Sequence, residues 1–196
     1  MPKGAILILA AGNSSRLGRS KQLVEISKGQ TLLNQSIQTA EQSQLGEVYV
    51  VLGADYKMHS ESINSQVHLI ENSNWSAGMG SSLKAGLAQI ASSQNQTDFI
   101  VVSVCDQPYL ETENFLALYS EFKKGDKPII ASKYDVGFGV PVLFSNSVFN
   151  ELLQLGDGEG ALKFLKINLE QVAFVDFKKG NIDIDTQDDL LNHLSN

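Results

Sequence analysis

The chain has 196 residues, 42% of them hydrophobic, with one cysteine and a formal net charge of -7. That length suits one compact domain with its own core, and the lone Cys105 excludes a disulfide framework or a cysteine-based zinc cluster. The acid excess argues against duplex nucleic acid or an anionic membrane as the main partner, and no run approaches the roughly 18 apolar residues of a membrane span.

Ile6 to Leu9 reads as a first β-strand, an apolar run too short for a secretory leader. Leu33, Ile37 and Ala40 then share one helical face. Strands follow at Val48 to Leu52 and Val67 to Ile70, and a helix carries Leu83, Leu87 and Ile90. Phe99 to Val104 is the next strand, followed by a helix with Phe115, Leu118 and Phe122 on one side. Pro128 to Ala131 and Val172 to Val175 complete the strands. A last helix with Leu190, Leu191 and Leu194 starts at Thr186, with Asp188 and Asp189 in its first turn. The strand runs are almost continuously apolar and rich in Val and Ile, as strands covered on both faces are. Alternating β and α elements give an α/β fold with a largely parallel sheet. No linker, repeat or composition shift divides the chain. A single domain over residues 1–196 is expected, in a cytoplasmic compartment that keeps thiols reduced.

In open α/β sheets ligands bind beyond the carboxyl ends of the strands, so the residues after each apolar run are the candidates. Leu9-Ala10-Ala11-Gly12-Asn13-Ser14-Ser15-Arg16-Leu17-Gly18-Arg19-Ser20-Lys21 comes first. Its small residues allow close backbone approach, its N–H groups suit phosphate oxygens, and Arg16 and Lys21 carry positive charge. It is neither a Walker A loop nor a G-x-G-x-x-G fingerprint, and a flexible loop with solvated charges is the plain alternative. Asp106, in Cys105-Asp106-Gln107-Pro108, ends a buried strand. Its carboxylate suits Mg²⁺, while an Asx-type turn before Pro108 is the other use of such a residue.

Asn74 to Leu83 contains a Gly78–Gly80 turn, with Ser81 or Ser82 placed to cap the following helix. Such a turn reads a base edge or is simply a capped turn anchored by Trp75. In Asn181-Ile182-Asp183-Ile184-Asp185-Thr186, strand alternation would put both Asp on one face, where one could join Asp106 at a metal. Gly137 to Phe144 and Leu155 to Ala161 read as loop punctuation, with room for an acceptor substrate as the alternative. His59, His68 and His193 are scattered and read as structural or exposed. Cys105 reads as a small buried strand residue.

Taken together and in order, these segments resemble the MobA-like nucleotidyltransferases, with the molybdenum-cofactor cytidylyltransferase subgroup as the nearest pattern. The opening motif runs from Leu9 to Lys21 with Leu17 in place of Met. An N-x-x-W-x-x-G-M-x-S-S-L pattern matches Asn72 to Leu83, D-Q-P is Asp106-Gln107-Pro108, and the late segments are Gly139 to Phe144, Gly156 to Ala161 and Asp183 to Thr186. The resemblance implies a Rossmann-like three-layer α/β/α sandwich with one reversed strand in a mostly parallel mixed sheet. It implies Mg²⁺-dependent transfer of a nucleoside monophosphate to a phosphorylated acceptor, with pyrophosphate released.

By the same resemblance Asp106 and Asp185 would hold the metal, and Arg16 and Lys21 the triphosphate. Leu9, Ala10, Ala11, Gly12, Gly80 and Ser81 would surround the nucleotide, and Gln107, Gly139 and Pro141 the acceptor. Ala10-Ala11-Gly12 looks like CTP, with molybdopterin phosphate as acceptor and an apo-molybdoenzyme as a partner to be served. The alternatives are a GTP-using guanylyltransferase, a sugar- or polyol-phosphate nucleotidyltransferase, and a non-catalytic cofactor chaperone.

Overall fold

Alternate residues of the first strand, β1 (Gly4–Ala10), point to opposite faces of a sheet and enter two separate cores. Ala5, Leu7 and Leu9 join one, and Ile6, Ile8 and Ala10 the other. A computed structural model describes residues 3–93 and 97–194. After β1 come β2 (Glu25–Ser27), β3 (Gln30–Thr31), α1 (Leu32–Ser43), β4 (Gly46–Leu52), α2 (Tyr56–Glu61), β5 (His68–Glu71), α3 (Met79–Ser92) and β6 (Phe99–Val104). The second half holds α4 (Thr112–Phe122), β7 (Ile129–Lys133), β8 (Phe138–Ser145), α5 (Phe149–Leu152), α6 (Ala161–Ile167), β9 (Val172–Asp176) and α7 (Gln187–Leu194).

The main sheet has seven strands in the order β5-β4-β1-β6-β8-β7-β9, and β2 and β3 form a separate two-stranded pair. β8 runs antiparallel to β6 and β7, and the other pairings of the main sheet are parallel. Leu83, Leu87 and Ile90 of α3 with Phe164 and Leu165 of α6 cover one face. Leu33, Ile37 and Ala40 of α1 with Phe115 and Leu118 of α4 cover the other. This is the largely parallel α/β sheet that the alternating pattern implies, in the three-layer sandwich with one reversed strand that the family resemblance implies. Among the described residues no helix is long and apolar enough to cross a membrane.

The sequence reading needs three corrections. Gly137 to Phe144, read as loop punctuation, contains β8, the reversed strand in the middle of the sheet. Its two glycines and Pro141 look like breakers, but Pro141 sits where the β7–β8 register shifts, and its carbonyl takes a bond from Ser132 Oγ at 2.7 Å. Residues 182–185 lie outside the strands, tied by the Ile184 N–H to the Asp106 carbonyl at 2.9 Å. The N-cap of α3 is Gly78, because Ser81 already lies in the first turn and donates its hydroxyl to the Gly78 carbonyl at 2.7 Å. At α7, Thr186 and Asp189 cap each other: Thr186 N–H donates to Asp189 Oδ2 and Asp189 N–H to Thr186 Oγ1. Of the Leu190, Leu191 and Leu194 face, the Leu194 side chain lies outside the described residues.

Candidate active site

The loop after β1 is braced by a residue that local pattern did not single out. Gln22 is 1% exposed, and its amide nitrogen donates to the carbonyls of Ala10 at 2.9 Å and Gly12 at 2.8 Å. Its oxygen accepts from the hydroxyls of Ser20 and Ser14. Ser20 Oγ in turn meets Nε2 of His59 at 2.7 Å, and Ser14 Oγ accepts the Lys21 N–H at 2.9 Å. Burial holds His59 below its ordinary 6.5, against the opposing pull of Asp55 and the Ala54 carbonyl.

A small satellite core fixes the other half. Leu17, Val24, Leu32, Ile184 and Leu190 pack together, and Gln187 Nε2 donates to the Leu17 carbonyl at 3.0 Å. This clamps the chain before α7 against the loop after β1, and brings residues 21 and 185 into contact. Lys21 Nζ lies 2.7 Å from Asp106 Oδ2 and 2.5 Å from Asp185 Oδ1, with all three side chains largely buried. Burial works against the Lys21 charge, but Asp106 and Asp185 outweigh it and hold the lysine well above its usual range. Arg16 meets Asp185 Oδ2 at 2.6 Å from a side chain that is 72% exposed, so that pair is weakly held.

Asp183 is raised to about 7 by burial and by the charges of Asp106 and Asp185. Cys105 is buried, and that burial pushes its thiol up to about 12, so it is a packing residue and not a nucleophile.

Two cavities open at this point. The first, about 310 Å³, is lined by Leu9, Ala10, Ala11 and Gly12 together with Lys21, Trp75, Gly78 and Ser82. The second, about 500 Å³, is lined by Gln107, Tyr134, Phe138, Gly139, Gly160 and Asp183 among others. Met79, Val104 and Asp106 line both. Both volumes are of ligand size.

The expected residues fall around these cavities as follows. Leu9 to Gly12, Lys21 and Asp106 converge on the first, and Gln107 and Gly139 on the second. Pro141 is buried in β8 outside the lining, and its peptide with Val140 is cis. Gly80 and Ser81 also lie outside both linings. A Cβ on Gly80 would stand 2.2 Å from the Gly156 carbonyl and 2.6 Å from that of Glu159, so Gly80 lets the 156–160 loop rest on α3. Ser81 is buried, gives its N–H to the Asp157 carbonyl at 3.1 Å and accepts from Asn72 Nδ2 at 2.9 Å. Asn72 also donates to Ser82, which does face the first cavity.

The donor chemistry fits a hard divalent cation. Asp106 and Asp185 already converge on one cationic group, Nζ of Lys21, so the pair can hold positive charge between them. Among the described residues no cluster of three or more His, Cys, Asp or Glu is gathered as a closed metal cage. Two carboxylates completed by substrate phosphates are the usual Mg²⁺ arrangement.

Nicotine blue oxidoreductase of Paenarthrobacter nicotinovorans is 36% identical over 105 residues, 53% of this chain and 50% of that protein, so the chain spans about half the length of this curated relative. The crystal structure of a Mycobacterium tuberculosis Rv0371c homologue from Mycobacterium sp. strain JC1 superposes with a TM-score of 0.82 at 26% identity, covering 98% of this chain and 95% of that one. Rv0371c from M. tuberculosis H37Rv gives 0.81 at 25% identity, covering 100% and 98%. Residues 6–172 match the MobA-like NTP transferase domain.

Proposed function

This chain belongs to the MobA-like NTP transferase family, and from that membership we propose that it transfers CMP from CTP to the phosphate of molybdopterin, releasing pyrophosphate. The observation that carries the proposal is the position of Asp106. It faces two adjoining cavities and is joined with Asp185 through Lys21, so one charged cluster serves two ligand sites. The specific choice of CTP and molybdopterin draws on the Ala10-Ala11-Gly12 opening and the Asn72 to Leu83 segment.

In this reading the nucleotide takes the first cavity, with the backbone of Ala10 to Gly12 and the Ser82 hydroxyl around it. The acceptor takes the second. An acceptor phosphate oxygen attacks the α-phosphorus in line. The new P–O bond forms as the bond from the α-phosphorus to the bridging oxygen breaks, and that electron pair leaves with pyrophosphate. The acceptor phosphate is already ionised near neutrality, so it needs no general base. Lys21 and Arg16 neutralise the charge that gathers on the leaving group. When bound, Mg²⁺ would be held by Asp106 and Asp185 and would neutralise phosphate charge.

The test is pyrophosphate release by the purified protein with Mg²⁺ and molybdopterin, using CTP against GTP, with polyol phosphates as competing acceptors. Release with CTP and molybdopterin is expected. Release only with GTP, or only with a polyol phosphate, would replace this reading by one of the alternatives. A second reading comes from the relative with an oxidoreductase name: a redox reaction with an added electron donor in place of nucleotidyl transfer. It predicts no pyrophosphate release from any triphosphate.

A further inference from the structure

His59 lies in α2, outside every segment that carries the family resemblance, and is 1% exposed. Its Nε2 stands 2.7 Å from Ser20 Oγ, 39 positions away in sequence. The hydroxyls of Ser20 and Ser14 both donate to Gln22 Oε1, at 2.9 Å and 3.2 Å. A hydroxyl has one proton, so Ser20 Oγ meets His59 as an acceptor, which assigns the neutral ring's proton to Nε2. The result is a directed chain. His59 Nε2–H donates to Ser20, the Ser20 hydroxyl to Gln22, and the Gln22 amide to the carbonyls of Ala10 and Gly12. Bonds aligned in one direction polarise and strengthen one another.

A second tie comes from the segment that leads into α2: the Ala54 N–H donates to the Ala11 carbonyl at 3.0 Å. The carbonyls of Ala10, Ala11 and Gly12 are therefore all held, and these residues with Asn13 line the first cavity. Planar peptide units with fixed carbonyls have little freedom to turn, so their N–H groups are fixed as well. Ser14 Oγ draws the Lys21 N–H into the same net at 2.9 Å. His59 itself lines neither cavity, so any effect it has on a ligand passes through Ser20 and Gln22.

We propose that His59 is a positioning residue of the nucleotide site, donating from Nε2 to Ser20 and through it holding the loop after β1 in the form that takes a triphosphate. This rests on the reading of the first cavity as the nucleotide site and adds to it a residue from a different element.

Trp75 is the only tryptophan of the chain and lines the first cavity, so its fluorescence reads triphosphate binding without turnover. CTP and GTP, each with Mg²⁺, are titrated at about pH 7.5, where the ring is neutral. His59→Leu has no N–H to give. It should weaken binding of the preferred triphosphate about tenfold, raising KM more than it lowers kcat. His59→Gln brings an amide N–H to the place of Nε2 and should bind within about threefold of the wild type. Ser20→Ala cuts the same link from a partly exposed side chain and should match His59→Leu, and the double variant should bind no more weakly than either single one. Wild-type affinity in His59→Leu, even with a lowered melting temperature, would overturn the proposal. So would no recovery in His59→Gln, or additive losses in the double variant. If His59→Leu does not fold, Ser20→Ala decides: a weakened affinity supports the link and wild-type affinity overturns it. Pyrophosphate release is read separately. If the affinity pattern holds without release, the role of His59 stands and the transfer reaction falls. If release holds and the pattern is absent, only the role of His59 falls. No saturable quenching by either triphosphate overturns both.

Discussion

Lys21 Nζ stands 2.7 Å from Asp106 Oδ2, joining the loop after β1 to the end of β6 across 85 positions of sequence. Lys21 holds two carboxylates together, and in the proposed reaction it would also neutralise the leaving group. Lys21→Ala leaves Asp106 and Asp185 facing each other with no charge between them. Because these side chains keep some solvent, the expected loss of stability is about 1–2 kcal/mol, below that of a fully buried pair. The expected loss of kcat is about 10²–10³-fold. A thermal melt and a pyrophosphate assay read the two effects independently, and an unchanged kcat would remove Lys21 from the mechanism.

Asp106→Asn and Asp185→Asn test the carboxylate pair. Each keeps the side-chain shape but removes one countercharge of Lys21, so melting should fall no more than in Lys21→Ala, while turnover should fall at least about 10²-fold. Chelation of divalent cations should abolish wild-type turnover, and added Mg²⁺ should restore it. Full activity in the presence of excess chelator would exclude the proposed metal role.

The glycines separate folding from binding. A Cβ on Gly12 meets nothing within 4 Å, whereas one on Gly80 collides with the carbonyls of Gly156 and Glu159. Gly80→Ala should destabilise by about 1–3 kcal/mol, because backbone must move to admit the methyl. Gly12→Ala should melt like the wild type yet raise the KM for CTP, since Gly12 lines the first cavity. A Gly12→Ala protein with unaltered KM would remove Gly12 from the nucleotide site.

His59 gives the protein a built-in acid sensitivity. Its folded pKa lies below 6.5 because burial disfavours the charged ring. Above about 6.5 both folded and unfolded forms are neutral and its contribution to stability is intact. As pH falls below that value the unfolded chain takes up the proton first, so stability declines until the folded pKa is reached. His59→Gln removes this term. The wild-type advantage in Tm should therefore shrink as pH goes from about 7.5 to about 5.5. Parallel Tm profiles across that range would contradict it.

The layer architecture was legible because the strands are doubly covered, and their Val- and Ile-rich runs leave little choice of element. β8 was not, since Gly139 and Pro141 are local breakers whose strand conformation comes from pairing with β7 across a register shift, which residue type does not signal. Asp183 and Asp185 were recognised as a pair, but their position follows from Ile184 entering the satellite core beside Leu17 and Leu32. The bracing role of Gln22 has no periodic signal, because it depends on two backbone carbonyls at the end of β1. Gly80 and Ser81 sit in the expected segment, yet their atoms are committed to the 156–160 loop and to Asn72, and Ser82 is the residue that turns to the cavity.

The wall that the two cavities share, formed by Met79, Val104 and Asp106, bears on what happens after the chemistry. A reaction that joins the occupants of abutting sites leaves a single molecule with both footprints. Its departure must undo both sets of contacts in one event, so the product holds on with the avidity of a two-headed ligand although each half alone would exchange readily. Such a protein is suited to keeping what it makes until something takes it away.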